Sequence, residues 1–194
     1  MRDLYVLDIE TTGLGGALMG DVIVEIGIAR VDIDRKKVFP EYGKIIHQDL
    51  TEQQKKSWVF ENTDLDPEDV ERSPWSTDDI ILDLALYSQG VFTSYNRVFD
   101  FDSFLYHPPY RFHPRMAPCI KLSCADRYAE GRWFKAQEAY DLLCPDNPAN
   151  VPDGKVFWWV RILKIPEEDA PWGEFNHMML DPNAIIMLPM GERK

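Results

Sequence analysis

The 194-residue chain predicts an α/β fold built on a mixed sheet, and two groups of segments carry that expectation. Tyr5-Val6-Leu7, residues 22–31 and residues 38–47 are apolar, β-prone runs joined by short polar or glycine-bearing turns. That is the pattern of an antiparallel meander. A helix opening at Ser76 is then followed by a strand at Val91-Phe92-Thr93-Ser94. A helix between the meander and a later strand implies a crossover, so part of the sheet must pair in parallel.

The first strand runs into Asp8-Ile9-Glu10. Side chains two apart on a strand share a face, so Asp8 and Glu10 stand about 6–7 Å apart along it, with Ile9 turned into the core. Two like charges on an apolar strand repel and resist desolvation unless a cation lies between them. Hard oxygen ligands on a rigid element suit Mg²⁺ or Mn²⁺. An edge strand that shows two acids to water is the other reading of the pair. Gly13 to Gly16 and Gly20 then make a turn, which lacks the Gly-Lys-Ser/Thr ending of a phosphate loop.

Residues 49–75 are polar and irregular, with one short helix expected near Glu68–Arg72. Ser76-Thr77-Asp78-Asp79 begins the next helix in the manner of a capping box, and Ile80, Ile81, Leu84 and Ala85 follow at helical spacing. Aspartates in a first turn favour the positive end of the helix dipole, which makes Asp78 and Asp79 structural residues, and Asp83 is read the same way. Gly90 is expected to end this helix. His107, His113, Cys119 and Cys124 match no tight zinc spacing, and Cys119 to Cys124 read as a strand or short helix with small, buried cysteines. Residues 134–143 form an amphipathic helix.

Composition narrows the class. A net charge of −12 argues against a protein that coats nucleic acid with a broad basic face. The charge is uneven: residues 49–83 carry eleven acids against three bases, and residues 97–135 carry seven bases against four acids. A locally basic stretch in an acidic chain suits a short single strand, although a solvated face is the simpler reading. No apolar run approaches a membrane span, and no signal peptide precedes the first strand. Three cysteines fit a reducing cytoplasm better than a disulfide framework.

Leu7-Asp8-Ile9-Glu10-Thr11-Thr12-Gly13-Leu14 resembles the first motif of the DEDD-type 3′–5′ exonucleases, the family of polymerase proofreading domains and oligoribonucleases. Asn96-Arg97-Val98-Phe99-Asp100 resembles the second. The resemblance implies a ribonuclease-H-like fold, a five-stranded mixed sheet with three antiparallel strands first, in a single domain over residues 1–194 that is atypical from about 145. It implies two-metal-ion hydrolysis of phosphodiester bonds at the 3′ end of single-stranded DNA or RNA, with two Mg²⁺ or Mn²⁺ ions per site. Asp8 would bridge both ions, and Glu10 and Asp100 would hold one each or orient the water. Thr11, Thr12 and Leu14 would meet the terminal nucleotide, and Asn96 would bond near the substrate or brace the strand end. Asp102 rivals Asp100, but residues two apart on a helix face nearly opposite ways, and the spacing from Asn96 favours Asp100.

The C-terminal part departs from the family. The histidine subclass spaces its histidine and fourth acid by five residues; here His177 and Asp181 are four apart, and Pro182 takes the fifth position. Proline does not suit a helix interior. Asp181 therefore reads either as the fourth metal ligand, with His177 as general base, or as the N-cap of a helix beginning at Pro182. A second reading keeps the fold and drops the chemistry, leaving a catalytically impaired nucleic-acid-binding or scaffold module. A homodimer is left open.

Overall fold

The computed structural model describes residues 4–32, 35, 37–128 and 132–143. Five strands form one sheet: β1 Leu4–Thr11, β2 Ile23–Asp32, β3 Lys37–Ile45, β4 Val91–Thr93 and β5 Arg115–Met116, in the order β3-β2-β1-β4-β5. β1–β2 and β2–β3 pair antiparallel, while β1–β4 and β4–β5 pair in parallel. This is the α/β mixed sheet expected, with its antiparallel meander first. β1 sits at the centre, between the meander and the parallel strands.

Alternation along β1 divides its residues between two faces. Leu7 and Ile9 enter the main core with Ile26 and Ile28 of β2, Ile80 and Leu84, and Phe92, Phe101 and Phe104. Asp8 and Glu10 take the opposite face and are half-buried. A second, smaller core of Val24, Leu50, Val59 and Val70 is built with two short helices, α1 Trp58–Asn62 and α2 Pro67–Arg72. α2 lies where a short helix is expected, but α1 is an addition. Five residues carrying one buried anchor, Val59, are too few for a 3.6-residue pattern to be read against a polar background.

α3 Thr77–Leu86 starts in a full capping box: Ser76 Oγ accepts from the Asp79 backbone N–H, and the Asp79 carboxylate accepts from the Ser76 N–H. Asp83 accepts from Tyr42 Oη at 2.8 Å, tying α3 to β3. Asp79 and Asp83 are thus engaged structurally, as their positions suggest, and Asp78 lies in the same first turn. The helix stops earlier than Gly90, at Leu86 with Tyr87 as its cap. Gly90 has another reason to be glycine, since a Cβ there would meet the Tyr5 ring at 2.5 Å.

After β4 the chain forms a π-helix, Val98–Leu105, whose Tyr106 N–H reaches back five residues to Phe101 O at 2.9 Å. α4 Ile120–Tyr128 and α5 Ala136–Leu143 follow. Cys119 and Cys124 are buried, in and beside a helix rather than a strand. No helix among the described residues is long and apolar enough to cross a membrane.

Candidate active site

The acids lie toward the C-terminal end of β1. Across the antiparallel ladder Asp8 pairs with Gly27, which adds no side chain, and Glu10 pairs with Glu25. Residues directly opposite project to the same face, and like charges so placed are unfavourable. Glu25 is therefore a third carboxylate on the acid-bearing face, and the motif alone does not reveal it. Its signal is the register of the meander, which the sequence leaves undetermined. Just beyond Glu10 the register shifts, with Thr11 facing Ile23, and a bulge of this kind re-aims the chain as it leaves the sheet.

Thr11 and Thr12 are both buried. Thr11 Oγ1 donates to Gly13 O at 2.8 Å, and Thr12 Oγ1 accepts from the Val22 N–H at 3.0 Å. Both hydroxyls thus brace the turn between β1 and β2. Leu14, beyond them, is 86% exposed. The loop closes through Gly15 N–H donating to Asp21 Oδ2 at 2.7 Å. Gly16 has φ +86°, and a Cβ on it would lie 2.8 Å from Ser103 O of the π-helix. Only glycine satisfies both conditions.

Asp100 sits in the first turn of the π-helix and is 2% exposed, whereas Asp102 is exposed. The Asn96 carbonyl accepts from the Asp100 N–H at 3.1 Å, which anchors that turn to the end of β4. Burial pushes the Asp100 carboxyl up to about 7, and the Glu10 charge pushes the same way; the Ser94 hydroxyl, the Lys121 ammonium and the Asn96 backbone pull it down. The Ser94 hydroxyl faces the Asp100 carboxyl, but neither Ser94 Oγ nor Asp100 Oδ2, both buried, completes a hydrogen bond of full geometry among the described residues. A buried carboxylate oxygen left in this state costs free energy, and a cation beside it would offset that cost.

Asn96 Oδ1 accepts from Lys121 Nζ at 2.7 Å, so its carbonyl is committed to α4. The fold thus brings Asp8, Glu10, Asp100 and Asn96 to one end of the central strands. Among the described residues, no three His, Cys, Asp or Glu side chains already form a metal-holding group. His107, His113, Cys119 and Cys124 are among the described side chains that form no such group. His177 and Asp181 lie outside the described residues.

The five-stranded mixed sheet, with β1 at its centre and a crossover to the parallel β4, is an architecture shared with solved exonuclease structures. Solved structures with this fold include Exonuclease I of E. coli in complex with a 5cy-dT13 oligonucleotide, at 15% identity and a TM-score of 0.60, covering 85% of this chain and 40% of that one. Exonuclease I from Methylocaldum szegediense is 18% identical with a TM-score of 0.56, covering 84% and 38%. The zinc-bound form of the E. coli ExoI–ssDNA complex is 15% identical with a TM-score of 0.56, covering 84% and 39%. The chain therefore spans about two fifths of the length of these proteins. No family model matches the chain, and no curated protein matches it in sequence.

Proposed function

We propose that this protein is a Mg²⁺- or Mn²⁺-dependent 3′–5′ exonuclease that hydrolyses the terminal phosphodiester bond of single-stranded DNA or RNA. The observation that carries the reading is the buried Asp100 carboxyl, with Oδ2 short of a well-formed hydrogen bond and the Glu10 charge acting on it. Acids in that relation fit a divalent cation better than they fit one another. Asp8, Glu10 and Asp100 are the proposed ligands, with Asp181 as the fourth. Bound ions of this kind activate water and stabilise the attacking and leaving oxygens.

The chain's own groups supply the rest. Asp100 would have to be ionised to hold a cation, which would couple cation binding to pH. His177 is the proposed acceptor of the water's proton, the role that a neutral imidazole suits. Exposed Leu14 is the proposed contact for the terminal nucleotide, while the Thr11 and Thr12 hydroxyls hold the loop that presents it.

The test is release of mononucleotides from a 3′-labelled single strand, with Mg²⁺ or Mn²⁺ present and then with EDTA. Release that EDTA abolishes is expected. Failure on both DNA and RNA with both metals would contradict the reading. The lack of a ready three-acid group among the described residues favours a second reading, a non-catalytic binder, for which the same strand would be bound and left intact.

A further inference from the structure

We infer that Trp133 and Lys121 form a subsite that holds one nucleobase and its phosphate from a single strand, next to the acid site. The inference rests on the nuclease reading for the identity of its ligand. Its basis is a cavity of about 280 Å³ lined by Asn96, Val98, Phe99, Lys121, Leu122 and Trp133, near the small end of ligand-sized clefts. Trp133 is 65% exposed, and Val98 and Leu122 are also exposed, so the cavity wall is apolar and open to water. Isolated exposed apolar residues are ordinary, but these three are gathered around one concavity with a cation inside it.

The cation is held in place. The Lys121 N–H donates to Tyr95 O at 2.9 Å, beside Ile120 N–H donating to Ser94 O at 3.1 Å, which docks α4 on the end of β4. From there Lys121 Nζ reaches Asn96 Oδ1 at 2.7 Å and stands 4.7 Å from the centroid of the Trp133 ring. Trp133 is steadied by its neighbour: Phe134 is buried and its carbonyl accepts from Tyr95 Oη at 2.9 Å. The ammonium covers part of the indole, and the exposed remainder of the ring can receive a base.

Charge and chemistry fit a polynucleotide. Residues 97–135 are net basic in a chain of net charge −12, and Asn96, which accepts from Lys121 Nζ through its side chain and from the Asp100 N–H through its carbonyl, links the subsite to the acids. Stacking on an exposed aromatic with an adjacent cation is the physics of sequence-tolerant single-strand binding.

The experiment is fluorescence anisotropy of 5′-labelled dT and rU oligonucleotides on the full chain in EDTA, where no cleavage interferes. Trp133→Ala is expected to weaken binding about 5- to 150-fold, and Trp133→Phe to retain most of it. Lys121→Gln should flatten the salt dependence by the share of about one phosphate, a slope change near 0.7. Trp58→Ala, which removes a ring 55% exposed on α1, should change nothing. Equal binding by Trp133→Ala and the wild type, or an equal loss in Trp58→Ala, would overturn the subsite. If that happens while EDTA-sensitive trimming persists, the nuclease reading survives alone. A strand bound through Trp133 but never trimmed supports the subsite and removes the nuclease reading. No binding to either strand overturns the subsite whatever the trimming assay shows.

Discussion

Asp8→Ala is expected to lower nucleotide release from a 3′-labelled single strand by at least about 10³-fold, in line with the loss of one member of a catalytic set that acts as a unit. The reason is position. Asp8 lies on the central strand, on the same face as Glu10 and opposite a glycine that leaves room beside it. Its removal opens no hole in the main core, because Leu7 and Ile9 fill the other face. Thermal stability should therefore stay close to that of the wild type, as for most substitutions away from the core. Trimming at the wild-type rate by a folded Asp8→Ala variant would remove Asp8 from the mechanism.

The second large effect concerns stability. With no cation bound, Asp100 holds its proton to about pH 7, through burial first and the Glu10 charge in addition. In the unfolded chain it loses that proton near its ordinary value of 3.8. Between those two pH values the native state binds a proton that the unfolded state has released, so stability falls as pH rises. The contribution is whole below about pH 4, is lost progressively toward pH 7 and stays lost above it. Its ceiling is on the order of 4 kcal/mol, from the linkage of pKa shift to free energy. Asp100→Asn keeps the shape and removes the charge. In EDTA it should therefore be more stable than the wild type at pH 8, with a flatter profile from pH 4 to pH 8. Added Mn²⁺ should raise the melting temperature of the wild type and leave that of Asp100→Asn nearly unchanged. Thermal melts at stepped pH check both; parallel profiles for the two proteins would show that Asp100 is not the group responsible.

The residues that were legible from sequence are those whose signal is local. The meander, the α3 capping box and the pairing of Asp8 with Glu10 on one face all follow from periods of two or 3.6 and from end chemistry. That only one of Asp100 and Asp102 could turn inward was also within reach, because residues two apart on a helix face nearly opposite ways, and it is Asp100 that is buried. What could not be read depends on register or on long-range packing. Glu25 faces Glu10 only once the ladder is aligned, and a one-residue slip would have sent it to the other side. That the Thr11 hydroxyl donates to Gly13 O and the Thr12 hydroxyl accepts from the Val22 N–H depends on how the turn closes, which no local pattern reveals. Lys121 and Asn96 are twenty-five residues apart along the chain, and no pattern announces that their side chains meet. The π-helix was equally hidden, since its i→i+5 bonds arise from how the segment packs rather than from its composition.

The most direct test of the acid site is calorimetric titration of the cation-free full chain with Mn²⁺. Two ions per chain are expected for the wild type, with binding weakened or reduced in Asp8→Ala and in Asp100→Asn. A wild-type chain that is folded and takes up no Mn²⁺ would contradict the account.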